Sequence, residues 1–142
     1  MANLNKTTAE HAQPFSGAFG NNSVAIFSYT LAAAAINDVV YLGQLPKYAQ
    51  VHSVTLYNAA LGAGTTVDVG YATAEVAGTL TADDNYWISA KDTSSAAVTS
   101  NSALATAVPK TFSEGIFITA TVEGGVATGL ITVVVEYLYE NN

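Results

Sequence analysis

The sequence predicts an all-β fold, and three observations lead to it. Short runs rich in β-branched and aromatic residues follow one another from residue 24 onward. Turn-forming residues separate these runs, and no stretch of helical length shows a 3.6-residue hydrophobic period. About eight strands at this spacing favour a single-domain antiparallel β-sandwich that is jelly-roll-like, and a β-barrel would give the same pattern.

The strands can be placed one by one. They cover residues 24–31, 38–45, 50–58, 65–72, 85–90, a weaker stretch around 106–112, 115–122 and the terminal run 130–139. Turns are expected at 37–38, 45–47, 62–64, 83–85 and 124–125. The alanines of 32–37 could form one helical turn, which is too short to be a stable helix. Residues 91–108 are small and polar, which predicts a long loop that could include a weak edge strand.

The composition suggests that much of the protein surface is covered in the working state. Half of the 142 residues are hydrophobic and only 11% are charged, against about 25% in typical soluble domains. Monomeric proteins normally carry more charge to stay soluble and unassociated. The shortage of charge therefore favours assembly, although a surface rich in Ser, Thr and Asn is an alternative explanation.

The charge balance argues against nucleic acid and anionic membrane surfaces as partners. The formal net charge is −7, and the basic residues are four lysines with no arginine. Phosphate binding depends on Lys and Arg side chains, and this chain has no basic cluster. There is also no cysteine, no signal-peptide pattern and no apolar run that could span a bilayer. We therefore expect a protein that is made and folded in a cytoplasm.

The first residues differ from the rest and predict an N-terminal arm over residues 1–22, followed by the β-sandwich domain at 23–142. Pro14, Gly17 and Gly20 interrupt any regular element. Phe15 and Phe19 are large apolar groups in an otherwise polar segment. They could pack on their own domain, or they could anchor the arm on a neighbouring subunit or partner.

The terminal run gives a more specific expectation when its residues are sorted by face. Successive strand residues point to opposite sides of a sheet. One face is uninterrupted and belongs to the core: Ile131, Val133, Val135, Tyr137 and Tyr139. The opposite face is mixed, and a single core does not explain its Val134 and Leu138. We expect these two side chains to contact the arm or another subunit.

No catalytic or metal-binding arrangement is visible, so no enzyme activity and no cofactor are expected. The two histidines, His11 and His52, belong to no catalytic or zinc-binding motif. Residues 83–84 are both Asp but lack the spacing of a calcium loop, and a turn is the simpler interpretation. Asp68, Glu123 and Glu136 are expected on outward faces, and nothing in the sequence fixes their separation.

Trp87 is the one residue that suggests a binding site for sugars. With Tyr86 beside it, an exposed Trp87 could stack on a carbohydrate ring. A single tryptophan in an alternating strand is more often part of the core.

Three stretches in fixed order resemble a pattern of small virion proteins of tailed bacteriophages. The first is "DVVYLGQLPKYAQVHSVTLYNAALGAGTTVDVGY" at 38–71, in which a strand ends in a Leu-Gly-x-Leu-Pro turn and a Gly-rich hairpin leads into Val-Asp-Val-Gly-Tyr. The others are "DDNYWISAKDTSSA" at 83–96 and "FITATVEGGVATGLITVVVEYLYE" at 117–140. The family that they resemble is the head decoration, or capsid cement, proteins. The N-terminal arm has no counterpart in this pattern.

This resemblance implies a structural role in the virion. Such proteins are compact β-sandwiches or jelly rolls on the outside of the phage head, often trimers, that hold neighbouring major capsid subunits together. It implies the major capsid protein as partner and a homotrimer as the assembled form. The alternative is a carbohydrate-binding β-sandwich module of a phage head fibre or tail.

Overall fold

The computed structural model describes residues 3–5, 22–101 and 109–139. It contains ten strands: β1 (Asn3–Asn5), β2 (Asn22–Ala34), β3 (Val39–Leu45), β4 (Ala49–Asn58), β5 (Thr66–Thr73), β6 (Asp83–Asp92), β7 (Ala97–Ser100), β8 (Lys110–Thr111), β9 (Ile116–Glu123) and β10 (Ala127–Tyr139). They form two sheets. Sheet A has the order β1-β3-β9-β5-β6, and sheet B has the order β2-β10-β4-β7, with β8 pairing with β4.

The eight main strands pair in a nested antiparallel pattern. β2 pairs with β10, β3 with β9, β4 with β7 and β5 with β6. The first of these eight strands therefore pairs with the last, the second with the second last, and so on inward along the chain. This nesting is what winding one long hairpin into two packed sheets produces, and it is the topology of a jelly roll. The expected all-β antiparallel sandwich is therefore confirmed.

The core lies between the two sheets and follows the alternation predicted for the terminal run. Ile131, Val133, Val135 and Tyr137 of β10 are buried, and Tyr139 is half-buried. In β9, Ile116, Ile118, Ala120 and Val122 are buried on the equivalent face. At one point the sheets approach so closely that a Cβ on Gly43 would overlap the ring of Phe27 in the opposite sheet.

Two local predictions are wrong. Residues 32–34 form no helical turn, because β2 continues to Ala34 and pairs with β10 as far as Ala127. The expected turn at 83–85 is instead the beginning of β6, where Asp83 pairs with Tyr71. In both places long-range strand pairing overrides the local preference of the residues. The other four predicted turns separate strands as expected.

Two further segments bear on the predicted loop and arm. The loop at 91–108 begins later than expected, because β6 extends to Asp92, and it contains the edge strand β7, which pairs with β4. Residues 102–108 lie outside the described part. Within the predicted arm, Asn3–Asn5 form β1, which pairs in parallel with Val39–Tyr41 of β3.

Trp87 belongs to an aromatic cluster at one end of the core. Its ring is fully buried and makes edge contacts with Tyr71, Tyr86 and Phe112 at centroid distances of 5.7, 5.5 and 5.9 Å. The Lys110 ammonium lies 4.9 Å from the ring centre of Tyr86, a cation–π distance. The core interpretation of Trp87 is confirmed, and its ring has no surface for a sugar.

Candidate interaction surface

The outward side of sheet B, here called the outer face of sheet B, carries the residues that the core does not explain. Cross-strand registers define its rows. Val134 of β10 lies between Ile26 of β2 and Thr55 of β4. Leu138 lies between Asn22 and Gln50 in the same way. Both side chains are half-buried by these neighbours, which leaves part of each available for contact.

Exposed apolar side chains are concentrated on this face. Eight large hydrophobic residues are exposed in the described part of the chain, and five of them project from the outer face of sheet B: Val24, Ile26, Tyr57, Val98 and Leu130. Ile26 has the highest exposure of the five, at 66%. Together with Val134 and Leu138 they form an apolar surface that crosses four strands. Surfaces of this kind mark interaction sites on soluble proteins.

One end of the surface is shallow and concave. The depression lies between β4, β7 and β10, and its lining includes Tyr57, Val98, Leu130 and Thr132 together with three alanines. Polar groups at its edges are already paired with one another. The hydroxyls of Ser28 and Thr132 are 2.8 Å apart, and those of Thr55 and Ser100 are 2.9 Å apart. The depression therefore suits apolar contact better than the binding of a polar ligand.

Few ionisable groups interrupt the face. Glu136 lies in a row with Val24 and Ser53. His52 is exposed at the irregularity in β4, with its Nε2 2.8 Å from the Gln50 Oε1. A face with so little charge leaves few ions that a partner would have to pair when it covers the face.

Of the four residues predicted to make contacts, the structure locates two. Val134 and Leu138 lie on one apolar surface, as described above. Phe15 and Phe19 lie outside the described residues, so their predicted role is a prediction still. The predicted contacts did not include Val24, Ile26, Tyr57, Val98 or Leu130, although the alternation around Val24 and Ile26 would have identified that pair.

A second cluster is built around the carboxylate of Glu114, which ties together two loops. It accepts hydrogen bonds from the Thr73 hydroxyl at 2.7 Å, from the Thr79 amide and hydroxyl at 2.7 and 2.9 Å, and from the Leu80 amide at 3.3 Å. These donors, above all the Thr73 hydroxyl and the Thr79 amide, lower the pKa of Glu114 to about 2. Each of these hydrogen bonds fixes the end of β5 or the loop between β5 and β6, so the cluster is structural.

Asp68 lies on an outward strand face, as expected, but it is buried there. It is on the outward side of β5, but only 4% of it is exposed, and it accepts a hydrogen bond from the Ala90 amide. Burial raises the pKa of Asp68, and the nearby charges of Glu123 and Asp84 raise it further, while the Ala90 hydrogen bond opposes them. The side chain is covered because the irregular β6 folds over this part of β5.

No group of three or more His, Cys, Asp or Glu side chains in residues 3–5, 22–101 and 109–139 is placed to hold a metal ion. Over the same residues, no helix is long and apolar enough to cross a bilayer.

Comparisons by sequence give no relative. No protein-family model matches the chain, and no curated protein matches it.

Comparison with solved structures gives clear similarity in fold. A chain of the capsid of Ralstonia phage GP4 superposes with a TM-score of 0.78 and 21% identity, covering 99% of this chain and 100% of that one. A chain of the cyanophage Pam1 capsid asymmetric unit gives 0.65 and 22%, covering 95% and 98%. A chain of the acidic stable capsid of Helicobacter pylori bacteriophage KHP30 gives 0.54 and 22%, covering 85% and 90%. At these identities the likeness establishes a shared fold over almost the whole chain.

Proposed function

We propose that this chain is a structural protein of a tailed-phage virion, which decorates the outside of the capsid and stabilises it by binding across major capsid subunits. The observation that carries the proposal is the agreement of two independent comparisons. Three ordered stretches of the sequence resemble head decoration proteins, and the fold resembles chains of three phage capsids. Coverage of both chains is nearly complete for the first two, so those chains are of closely similar length to this one.

Charge supports a position on the outer surface. The chain carries a net charge of −7 and no arginine. Packaged DNA is densely negative and repels an acidic protein, so the outside of the shell is the favourable side.

The outer face of sheet B supports attachment to another protein. Val134 and Leu138 are half-buried in the isolated chain, and the same face also exposes Val24, Ile26, Tyr57 and Leu130. Covering such a surface removes apolar area from water at about 25 cal/mol per Å². Stable protein interfaces have apolar centres of this type, poor in charge. The proposed partners are the major capsid protein and other copies of this chain, in a homotrimer.

The carbohydrate-binding alternative loses its main support. It depended on Trp87 as a stacking platform, and Trp87 is 0% exposed within the aromatic cluster. No other observation in the described residues favours it.

The proposal is tested by binding to expanded heads that lack the protein. The purified chain is expected to sediment with such heads and to raise the temperature at which they rupture. The Val134→Lys and Leu138→Lys double variant places two charges on the apolar surface, so we expect it to bind at least ten-fold more weakly, a loss of about 1.4 kcal/mol.

Val126→Lys is the matched control. Val126 is also exposed, but it lies in the turn before β10 and not on the outer face of sheet B. We expect this variant to bind heads as the wild type does. If the wild-type chain is a strict monomer that fails to bind expanded heads, the proposed function is wrong.

A further inference from the structure

The edges of the two sheets differ in how they are protected against pairing with another strand. Within the described residues, sheet A ends in β1 and β6, and sheet B ends in β2 and β7. β1 and β7 have only three and four residues. β6 carries four charged residues, Asp83, Asp84, Lys91 and Asp92, and its register with β5 is twice irregular. Shortness, charge and bulges are the means by which proteins keep sheet edges from pairing.

β2 lacks these protections from Asn22 to Leu31, and its one register shift with β10 lies beyond Leu31, near its end. It is 13 residues long, with the sequence NSVAIFSYTLAAA, and it contains no charged residue and no proline. Among the described strands it pairs only with β10, in an almost continuous register from Asn22 to Ala34. Its outward side chains include Val24 and Ile26, which are among the exposed apolar residues. An edge with these properties is a template for pairing with another strand.

We infer that the free edge of β2 pairs antiparallel with β2 of a second copy of this chain, so that sheet B continues from one copy into the other. Two features favour a second copy as the occupant. β2 of another copy is the one described edge that is both long and uncharged, since the other edge strands are short or charged. Two uncharged β2 strands also bring no like charges together along the paired edge.

The side chains on the outer face support the same arrangement. Val134 and Ile26 are cross-strand neighbours that point outward. Antiparallel pairing of two β2 strands near Ala25 would place Val24 of each copy opposite Ile26 of the other. Each of the two resulting rows would hold Val134 and Ile26 of one copy beside Val24 of the other, and would end at Glu136 of that second copy. Cross-strand pairs of β-branched side chains stabilise sheets by about 0.2–1 kcal/mol each.

This contact is two-fold and closes on itself. It therefore gives an even number of copies, either a pair of chains or a pair of trimers. The inference goes beyond the proposed function and does not depend on it, because head binding is measured separately from self-association.

The test combines hydrogen exchange with mass measurement in solution. In a lone copy, alternate amides of β2 point away from β10 and exchange quickly. When two β2 strands pair, the amides that face β10 and those that point away from it are both protected from exchange. After dilution to single copies, only the amides that point away from β10 should exchange quickly again. Ile26→Lys should halve the mass of the assembled species and abolish the extra protection.

Leu130→Lys is the matched control. Leu130 is exposed on the same outer face, but it lies on β10, inside the sheet and away from the edge. This variant should keep the wild-type mass and the protection of β2. If Leu130→Lys halves the mass while Ile26→Lys does not, copies associate through the face and the inference is wrong.

Two other outcomes would also overturn it. One is fast exchange of the alternate β2 amides in the assembled protein at its highest soluble concentration. The other is protection that is independent of concentration and disappears when residues 1–21 are deleted, which would mean that the chain's own N-terminal segment covers the edge.

Discussion

Glu114 shows how one side chain can fix a loop that has little hydrophobic packing. The loop between β5 and β6 covers residues 74–82, and the carboxylate of Glu114 binds it through Thr73, Thr79 and Leu80. A second acid closes the cluster from the other side, since Glu75 accepts a hydrogen bond from the Gly115 amide at 3.1 Å. A Cβ on Gly78 would overlap the Thr73 hydroxyl, so the cluster also requires a glycine.

The lowered pKa of Glu114 predicts a specific loss of stability in acid. The folded state holds the pKa near 2, against 4.5 in the unfolded chain. The unfolded state therefore takes up the proton first, and the contribution of Glu114 is complete above pH 4.5 and is lost as the pH falls to about 2. Glu114→Gln should lower the melting temperature at neutral pH, and its difference from the wild type should shrink toward zero near pH 2.

Glu136→Gln removes the same charge from the outer face of sheet B and controls for net charge. Circular dichroism melting curves of the wild type and the two variants, measured from neutral pH to about pH 2, give the difference in melting temperature at each pH. A Glu114→Gln difference that stays constant with pH would contradict the structural role assigned to Glu114.

Neither Glu114 nor Asp68 could have been recognised from sequence. Thr73 and Thr79 are 41 and 35 positions from Glu114, so no local pattern connects them. Asp68 follows the strand alternation, which predicts its outward position but not its burial. It is buried because β6 folds over it, and sequence reasoning has no access to that irregularity.

At the scale of single elements, regular strands were predictable and irregular ones were not. β10 follows the period of two over its whole length, and its core face was assigned correctly from residue type alone. β6 contains more residues than the β5 segment it faces: between the pairs Val69–Ile88 and Tyr71–Asp83, β6 advances by five positions and β5 by two. These extra residues carry Trp87 into the core and place Asp83 and Asp84 over β5.

Gly70 of β5 makes this arrangement possible, and its substitution should be costly. A Cβ at Gly70 would overlap the Asp83 carbonyl oxygen and the backbone of Asp84. Backbone cannot rotate away as a side chain can, so Gly70→Ala must displace the start of β6. We expect a loss of about 1–3 kcal/mol or more in the free energy of unfolding, as for other overpacked positions, measured by urea denaturation.

Gly64→Ala is the comparison for this experiment. Gly64 has a positive φ of 73°, and a Cβ there would meet no atom within 4 Å, so this variant reports backbone strain alone, about 1–2 kcal/mol. The position of β6 should change in Gly70→Ala and not in Gly64→Ala. Unchanged amide chemical shifts for β6 in Gly70→Ala would contradict the close approach.

At the scale of the whole molecule, the sequence predicted the class of fold but could not give its pairing. Local alternation identifies strands, and turn residues separate them. The nested pairs join residues far apart in the chain, such as Ser23 with Tyr137 and Val39 with Thr121. Such pairing depends on which strands fit together in three dimensions, and a sandwich and a barrel share the same local pattern. The resemblance to phage head decoration proteins favoured a sandwich or jelly roll over a barrel, and the structure has that fold.

The N-terminal arm gives the last prediction. If Phe15 and Phe19 anchor the arm on another subunit or on the capsid, deleting residues 1–20 should weaken assembly or head binding much more than it lowers the melting temperature. The deletion also removes β1, whose three residues pair with β3. That loss amounts to a few backbone hydrogen bonds at about 0.5–1.5 kcal/mol each, enough to lower the melting temperature by several degrees on its own.

Two variants separate the effects of losing β1 and of losing the anchors. Deletion of residues 1–5 removes β1 alone, and Phe15→Ser with Phe19→Ser keeps β1 but removes the anchors. The double serine variant should keep the melting temperature and lose head binding. A large fall in its melting temperature with binding retained would mean that the two rings belong to the chain's own fold.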